Sequence, residues 1–270
     1  AADADDDGKL DFGFEVNTGN PAAPVVLDFD QFLIRVQLVG EIELQGVFRL
    51  FGVFLFEVDS SSLKAFVAAG LEFGPDIDAA ESSKIFPMHA LGALVINNDG
   101  ITADIDVSVS VGGALKSVLS LDASARLMVN TTARDQTITI PARFVNFLKG
   151  DLSLLPASEL VDTISPDSPF RELTGAQLDP RFTTNSNGSA TFTIPGGAPR
   201  LGGLPNDAAG TYFLIALHGN LTIAQTFVIG GDFRLKVSTT GLELGFNGTL
   251  NLGGFASVAV AGGAVIENSV

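Results

Sequence analysis

Apolar and polar residues alternate with a period of two along most of the 270-residue chain. That is the pattern of half-buried β-strands. Phe233, Leu235 and Val237 share one phase, and Arg234 and Lys236 share the other. Val237 is followed by the turn-type run Ser-Thr-Thr-Gly and then Leu242. Folding residues 233–246 about that turn sets Val237 opposite Leu242, Leu235 opposite Leu244 and Phe233 opposite Phe246, with Lys236 facing Glu243. Residues 54–67 fold in the same way, with Val58 opposite Leu63 and Glu57 facing Lys64. Opposite charges across an antiparallel pair contribute only about 0.2–1 kcal/mol, yet they favour one register over its neighbours. The same hairpin is thus built twice with its charges exchanged between strands, which marks an internal repeat.

Weaker copies lie between these two. Residues 93–105 place Ile96 before the turn Asn-Asn-Asp-Gly and Ile101 after it, and residues 125–140 read as a further hairpin with a longer turn. Residues 12–21 and 183–194 carry comparable turn signals. The anchoring valine or isoleucine falls at 16, 58, 96, 129 and 237, the first intervals being 42, 38 and 33 residues. The interval from 129 to 237 has room for about three such units. Gly40 precedes Val58 by the same distance as Gly219 precedes Val237. A strand-built period of this length predicts stacked hairpins. Two stretches break the rhythm: proline-punctuated residues 145–180, with a short helix expected near Ala157–Ile164, and the Gly/Pro-rich residues 195–210. The expected fold is all-β, an elongated antiparallel β-hairpin repeat, solenoid-like or sandwich, with one loop-rich insertion. Its parts are an acidic N-terminal loop (1–11), β-hairpin repeats (12–144), the insertion (145–207) and further β-hairpin repeats (208–270).

Charge narrows the partners. Asp and Glu number 31 against 15 Lys and Arg, a formal net charge of −16, which disfavours nucleic-acid backbones and anionic membrane surfaces and favours divalent cations. The chain has no cysteine, so disulfides, thiolate catalysis and cysteine-held metals are excluded. Mean hydropathy is +0.36, high for so acidic a chain, and 21 Phe with no Trp and one Tyr make the apolar surface bulky and poor in polar handles. Either the core is large, or a neighbour or ligand covers apolar surface. No run reaches the roughly 18–20 apolar residues of a membrane helix. The first ten residues show neither the basic nor the apolar region of a secretion leader, so a mature product, or a segment of something longer, is expected.

The most specific polar motif is at the start. Asp3, Asp5 and Asp7 followed by Gly8 match the opening of a calcium loop, with Asp11 at its ninth position. The twelfth position holds Phe14 where a bidentate glutamate belongs, and a strand pattern follows where a helix belongs. A truncated calcium loop and a hydrated acidic terminus both fit. His89 and His218 are the only histidines, so one chain cannot supply a three-histidine metal site, and His218 sits on the polar phase of a strand. The carboxylate pairs Asp28/Asp30, Glu41/Glu43 and Asp104/Asp106 could form a glycosidase dyad, although a wet sheet face explains them more simply. No nucleophile-elbow, phosphate-loop or dinucleotide fingerprint occurs. Four Asn-x-Ser/Thr sequons begin at Asn130, Asn187, Asn220 and Asn247, as turns rich in these residues generate by chance.

The run Phe-x-Leu-x-Val-Ser-Thr-Thr-Gly-Leu, with Gly-Thr-Leu-Asn-Leu-Gly-Gly-Phe after it, resembles the hairpin repeats of giant repetitive extracellular surface proteins of aquatic bacteria. The resemblance spans most of residues 10–144 and 211–270. It implies an extracellular or cell-surface setting, a structural or adhesive role, and no catalytic residues. A second resemblance, carried by the Phe-rich residues 46–56, is to AsmA-type lipid-transfer proteins, whose strands line an open apolar groove. The expected function is that of a structural or adhesive β-repeat protein that self-associates into a filament, sheath or surface layer. Carriage of lipid or another apolar ligand stands second, and carbohydrate chemistry on acidic pairs third. The last strand, ending within four residues of Val270, carries no proline or lysine to guard its edge and is expected to join a neighbouring subunit or the next segment of a longer chain.

Overall fold

A computed structural model describes residues 14–16, 25–27, 33–44, 47–73, 87–111, 118–151, 181–200, 204–253 and 255–267. Strands β1 (Phe14–Val16) and β2 (Val25–Leu27) form a small antiparallel pair. Six strands then run as a meander: β3 (Leu33–Leu44), β4 (Phe48–Asp59), β5 (Ser62–Phe73), β6 (Met88–Asn97), β7 (Gly100–Ser110) and β8 (Leu119–Asn130). A branch leaves the meander as β9 (Gln136–Ile140), helix α1 (Ala142–Leu148), β10 (Phe182–Thr184) and β11 (Ala190–Ile194). The chain returns through β12 (Tyr212–Ile223), β13 (Phe227–Ser238), β14 (Gly241–Leu252) and β15 (Ser257–Glu267). Strand β12 pairs with β8, so the large sheet has ten antiparallel strands in the order β15-β14-β13-β12-β8-β7-β6-β5-β4-β3, and it does not close. Among the described residues, no helix is long and apolar enough to cross a membrane.

The hairpin registers are those the alternation predicts. Val237 pairs with Leu242, Lys236 with Glu243, Val58 with Leu63, Glu57 with Lys64, and Ile96 with Ile101. The exchanged charges meet as ion pairs, Lys64 to Glu57 at 3.3 Å and Lys236 to Glu243 at 2.7 Å. The repeat extends further than one hairpin. Strands β3, β4 and β5 match β12, β13 and β14 in length, 12 residues each, and in turn spacing. The two recurrent glycines pair with glycines, Gly40 with Gly52 and Gly219 with Gly231.

Local chemistry accounts for the turns. Asp59 accepts hydrogen bonds from the amides of Ser61 and Ser62 at 2.8 and 2.7 Å, and Asn97 accepts from Asp99 and Gly100 at 2.9 and 3.2 Å. Such side-chain caps replace a backbone turn bond. Gly100 and Gly241 close their turns at φ +141° and +143°, a region where a Cβ is disfavoured.

Residues 125–140 do not form the expected hairpin. β8 pairs with β7 and β12, whereas β9 pairs with β11 in a three-stranded sheet, β10-β11-β9. Asn130 makes the divergence: its amide donates to the carbonyls of Arg134 and Pro195 at 2.9 and 2.8 Å, and its oxygen accepts from the amides of Thr132 and Ala133. The hairpin expected at 183–194 is present as β10–β11. The helix expected near 157–164 lies outside the described residues. The helix that is described, α1, follows Pro141 and buries Phe144, Val145, Phe147 and Leu148.

The small sheet and α1 lie on one face of the large sheet. There Phe51, Val53 and Leu55 of β4, Phe66 and Ala68 of β5, and Ala93 and Val95 of β6 pack with Ile138, Ile140, Phe192, Ile194 and the helix. Phe192 sits edge-on to Phe66 and Phe182 at 6.1 and 5.1 Å. A second cluster of Met128, Tyr212, Leu214 and Ala198 lies on the same face.

Candidate functional site: a continuous apolar sheet face

In a strand, residues two apart share a face, and directly paired residues on neighbouring strands stand side by side. The registers therefore write out both faces of the sheet. One row on the face away from the small sheet reads Val36, Phe56, Ala65, Leu94, Ala103, Val129, Phe213, Val237, Leu242 and Ile266. The next runs from Leu38 to Ala264 and the third from Gly40 to Gly262, each across all ten strands, and a fourth runs from Leu50 on β4 to Val260 on β15. Every member of all four is apolar or glycine. Both buried clusters draw on the opposite face, and on this one Leu38, Phe56, Leu127, Leu217, Phe233, Phe246 and Val260 are exposed.

Size decides what such a face means. Ten strands about 4.8 Å apart, with rows about 7 Å apart along them, give a face on the order of 1,100 Å². The largest apolar patch on an ordinary monomer is about 300–600 Å², and a stable protein interface takes about 800 Å² from each partner. This face exceeds the first figure and suffices for the second. A band of small residues crosses it: Gly40, Gly52, Ala69 and Ala90 on β3–β6, then Ala123, Gly219, Gly231 and Gly248 on β8–β14. Only β7, with Val107 and Val109, interrupts this shallow trough.

The opposite face holds the charges, and they are tied to one another. Asp104 receives two hydrogen bonds from Arg126, at 3.0 and 2.8 Å, and lies 3.1 Å from Arg181. Arg181 also pairs with Asp106 at 2.5 Å and stacks over Phe192 at 5.0 Å. Burial pulls the Arg126 guanidinium down, but the hydrogen bond and charge of Asp104 outweigh it and hold Arg126 above its usual range. A second cluster joins Lys236 to Asp207 and Glu243 at 2.7 Å each, and Arg234 to Glu243 at 2.6 Å. The Lys236 hydrogen bond lowers Glu243 against the opposing effect of burial. Buried Arg49 and Glu72 pair at 3.3 Å.

These contacts bear on the residues singled out from the sequence. Asp3, Asp5, Asp7, Asp11, Asp28 and Asp30 lie outside the described residues. Asp104 and Asp106 do share a face, as their spacing implies, and both take part in an ion cluster with Arg126 and Arg181. His218 holds Asp232 at 2.6 Å through Nδ1 and approaches Asn220 at 3.5 Å through Nε2, all three side chains being exposed. Asn130 is buried with both ends of its amide engaged, which leaves no room for a glycan in the folded chain. Asn187, Asn220 and Asn247 are exposed.

The Asp104–Arg126–Arg181 cluster was not legible in the sequence, because Arg181 arrives from the branch. The apolar face was legible strand by strand in the alternation. Its continuity across all ten strands needed the pairing of β8 with β12. Comparisons with protein-family models, with curated proteins and with solved structures found no match to this chain.

Proposed function

We propose that this chain is a structural or adhesive β-repeat unit that works by associating with further copies of itself, in an extracellular or cell-surface setting, without catalysing a reaction. The observation that supports this reading is the set of apolar rows running unbroken from one edge strand to the other. A face of that size holds no polar group to orient a small substrate, and its exposure to water is relieved when a partner covers it. The extracellular setting rests on the resemblance to surface-protein repeats. Sedimentation velocity on detergent-free protein tests the reading. An assembly larger than the monomer is expected, little weakened by added salt because the contact is apolar. A monomer at tens of micromolar would overturn it.

The band of small residues favours a second reading, in which the trough holds acyl chains lying across the strands. Mass spectrometry of an organic extract separates the two: co-purified acyl chains on a monomer support carriage, and an extract free of them on an assembled protein supports the structural role. For the N-terminal segment we propose calcium bound by Asp3, Asp5, Asp7 and Asp11, where clustered carboxylates repel one another unless a cation neutralises them.

A further inference from the structure

We propose that copies of this chain join head to tail, β15 of one copy pairing antiparallel with β3 of the next, in the register that sets Glu267 opposite Arg35. This rests on the reading of the chain as an associating unit, and it adds which edges meet and how they are aligned.

Strand parity is the first ground. The large sheet has ten strands, all antiparallel, so its two edge strands run in opposite directions. A second copy set beside β15 with its own β3 leading meets it antiparallel, and the up-down alternation continues. An odd number of strands would have forced a parallel junction.

Facing is the second. The even-numbered residues carry the apolar face in both edge strands. Pairing Val36 with Ile266 continues the first row into the next copy, and the same register sets Leu38 beside Ala264 and Gly40 beside Gly262. The face therefore crosses the junction without a polar interruption.

Charge selects this register among those that keep the facing. On the polar face Arg35 donates to Glu57 at 2.9 Å, and Lys64 reaches the same carboxylate at 3.3 Å. This ladder ends at the β3 edge on a cation. The proposed register adds Glu267 of the neighbouring copy beyond Arg35, so that the signs alternate across four strands. Sliding β15 by two residues sets Arg35 against Val265 in one direction, or past the end of the strand in the other.

β15 suits the junction. Every residue along it is exposed, and it carries neither proline nor lysine, the usual guards of an edge. Joining β3 and β15 of one chain along the same straight rows would close a barrel without stagger, whereas barrels require one. The contact is therefore between copies, and because it is heterologous it propagates from copy to copy, into a ring where the rotation closes and a filament where it does not.

The chain has no native cysteine, so introduced thiols report on this junction alone. Q37C and V265C, mixed as single variants of the full chain and mildly oxidised, are expected to form a disulfide-linked dimer. Q37C with A261C, about 13 Å out of register, is expected to form little. With Q37C and V265C in one chain, a ladder of covalent multimers is expected, and an internally bridged monomer would overturn the proposal. An assembled protein in which the in-register pair links no better than the out-of-register pair would overturn this junction while leaving association intact. A monomeric protein sinks both. A261E sets a carboxylate opposite Glu41 and should weaken association about threefold to fivefold, with E41K restoring it. Equal effects of A261E and A261K would count against the register.

Discussion

Replacing Phe233 and Phe246 together by glutamine tests whether the apolar face is covered in the working protein. The two are direct cross-strand partners on β13 and β14, towards the β15 edge of the face, and they are 37% and 44% exposed. A phenylalanine side chain presents about 200 Å², so together they leave roughly 160 Å² of ring surface open. At about 25 cal/mol per Å², covering that surface contributes up to about 4 kcal/mol to association. Ordering and imperfect desolvation reduce such figures, so a loss of at least about 1.4 kcal/mol, tenfold in affinity, is expected. The assay is sedimentation over a concentration series, with the unfolding midpoint measured in parallel. The rings are already more than half buried in the monomer, so some loss of fold stability accompanies the change. The reasoning fails if the folded double variant keeps both the assembly mass and any co-purified apolar chains of the parent. The face would then be solvent-facing in use.

Phe192→Ala removes a fully buried ring from between the two sheets and should destabilise by about 3–5 kcal/mol in denaturant unfolding; a loss below about 1 kcal/mol would mean the small sheet is not part of the core. Asp104→Ala removes both hydrogen bonds of Arg126 and leaves Arg181 with Asp106 as its remaining carboxylate, and should cost about 1–3 kcal/mol, read from the same curves. Hydrogen bonds from the Ser62 and Ser61 side chains and backbone hold the Asp59 carboxyl well below the usual range, and Lys236 lowers Glu243. Carboxyls depressed in the folded state contribute stability above their unfolded values, near 4 to 4.5, and lose it as pH falls further. A thermal midpoint that is flat from about pH 6 to 8, falls below about pH 4.5, and falls less steeply in Asp59→Asn is expected. For calcium, calorimetry of the parent and of an Asp3/Asp5/Asp7→Ala variant should differ; superimposable isotherms remove the N-terminal site.

The sequence carried the hairpins to the level of single pairs. Equal turn lengths and a strict period of two leave one register for Val58/Leu63 and for Val237/Leu242, and the Glu57/Lys64 and Lys236/Glu243 charges agree with it. The same alternation could not say to which sheet a strand belongs. Residues 125–140 alternate as well as any hairpin, yet Asn130 anchors the turn to the carbonyls of Arg134 and Pro195 and sends β9 to a different partner. Pro141 before α1, apolar positions at 144, 145, 147 and 148, and Gly150 at φ +104° after it were helix signals within reach of a sequence reading. They were obscured by the seven-residue length, which strand alternation on either side outweighs. The acidic pair at 104 and 106 was placed on one face correctly, but nothing local to it announces Arg181.

The two faces of β4–β6 explain why the apolar face invites a partner. Along Phe48–Phe56 apolar residues occupy both phases, with Phe51, Val53 and Leu55 on one and Leu50, Phe54 and Phe56 on the other. A strand apolar on both sides is the mark of burial on both sides. The branch between β8 and β12 satisfies one of them: it leaves the sheet at Asn130, lays Ile138, Phe144, Phe192 and Ile194 over β4–β6, and returns at Tyr212 with the β8–β12 pairing unbroken. Towards β15 the same face turns to Arg234, Lys236 and Glu243, which water or ion pairs can satisfy. The other face has no such division. It stays apolar from Val36 to Ile266, over strands that the branch covers behind and strands that it does not. The charged face turns polar beyond the branch, whereas this one keeps its apolar rows on either side of it. On the function proposed above, this face stays apolar because further copies of the chain, or acyl chains in the trough, lie along the width of the sheet.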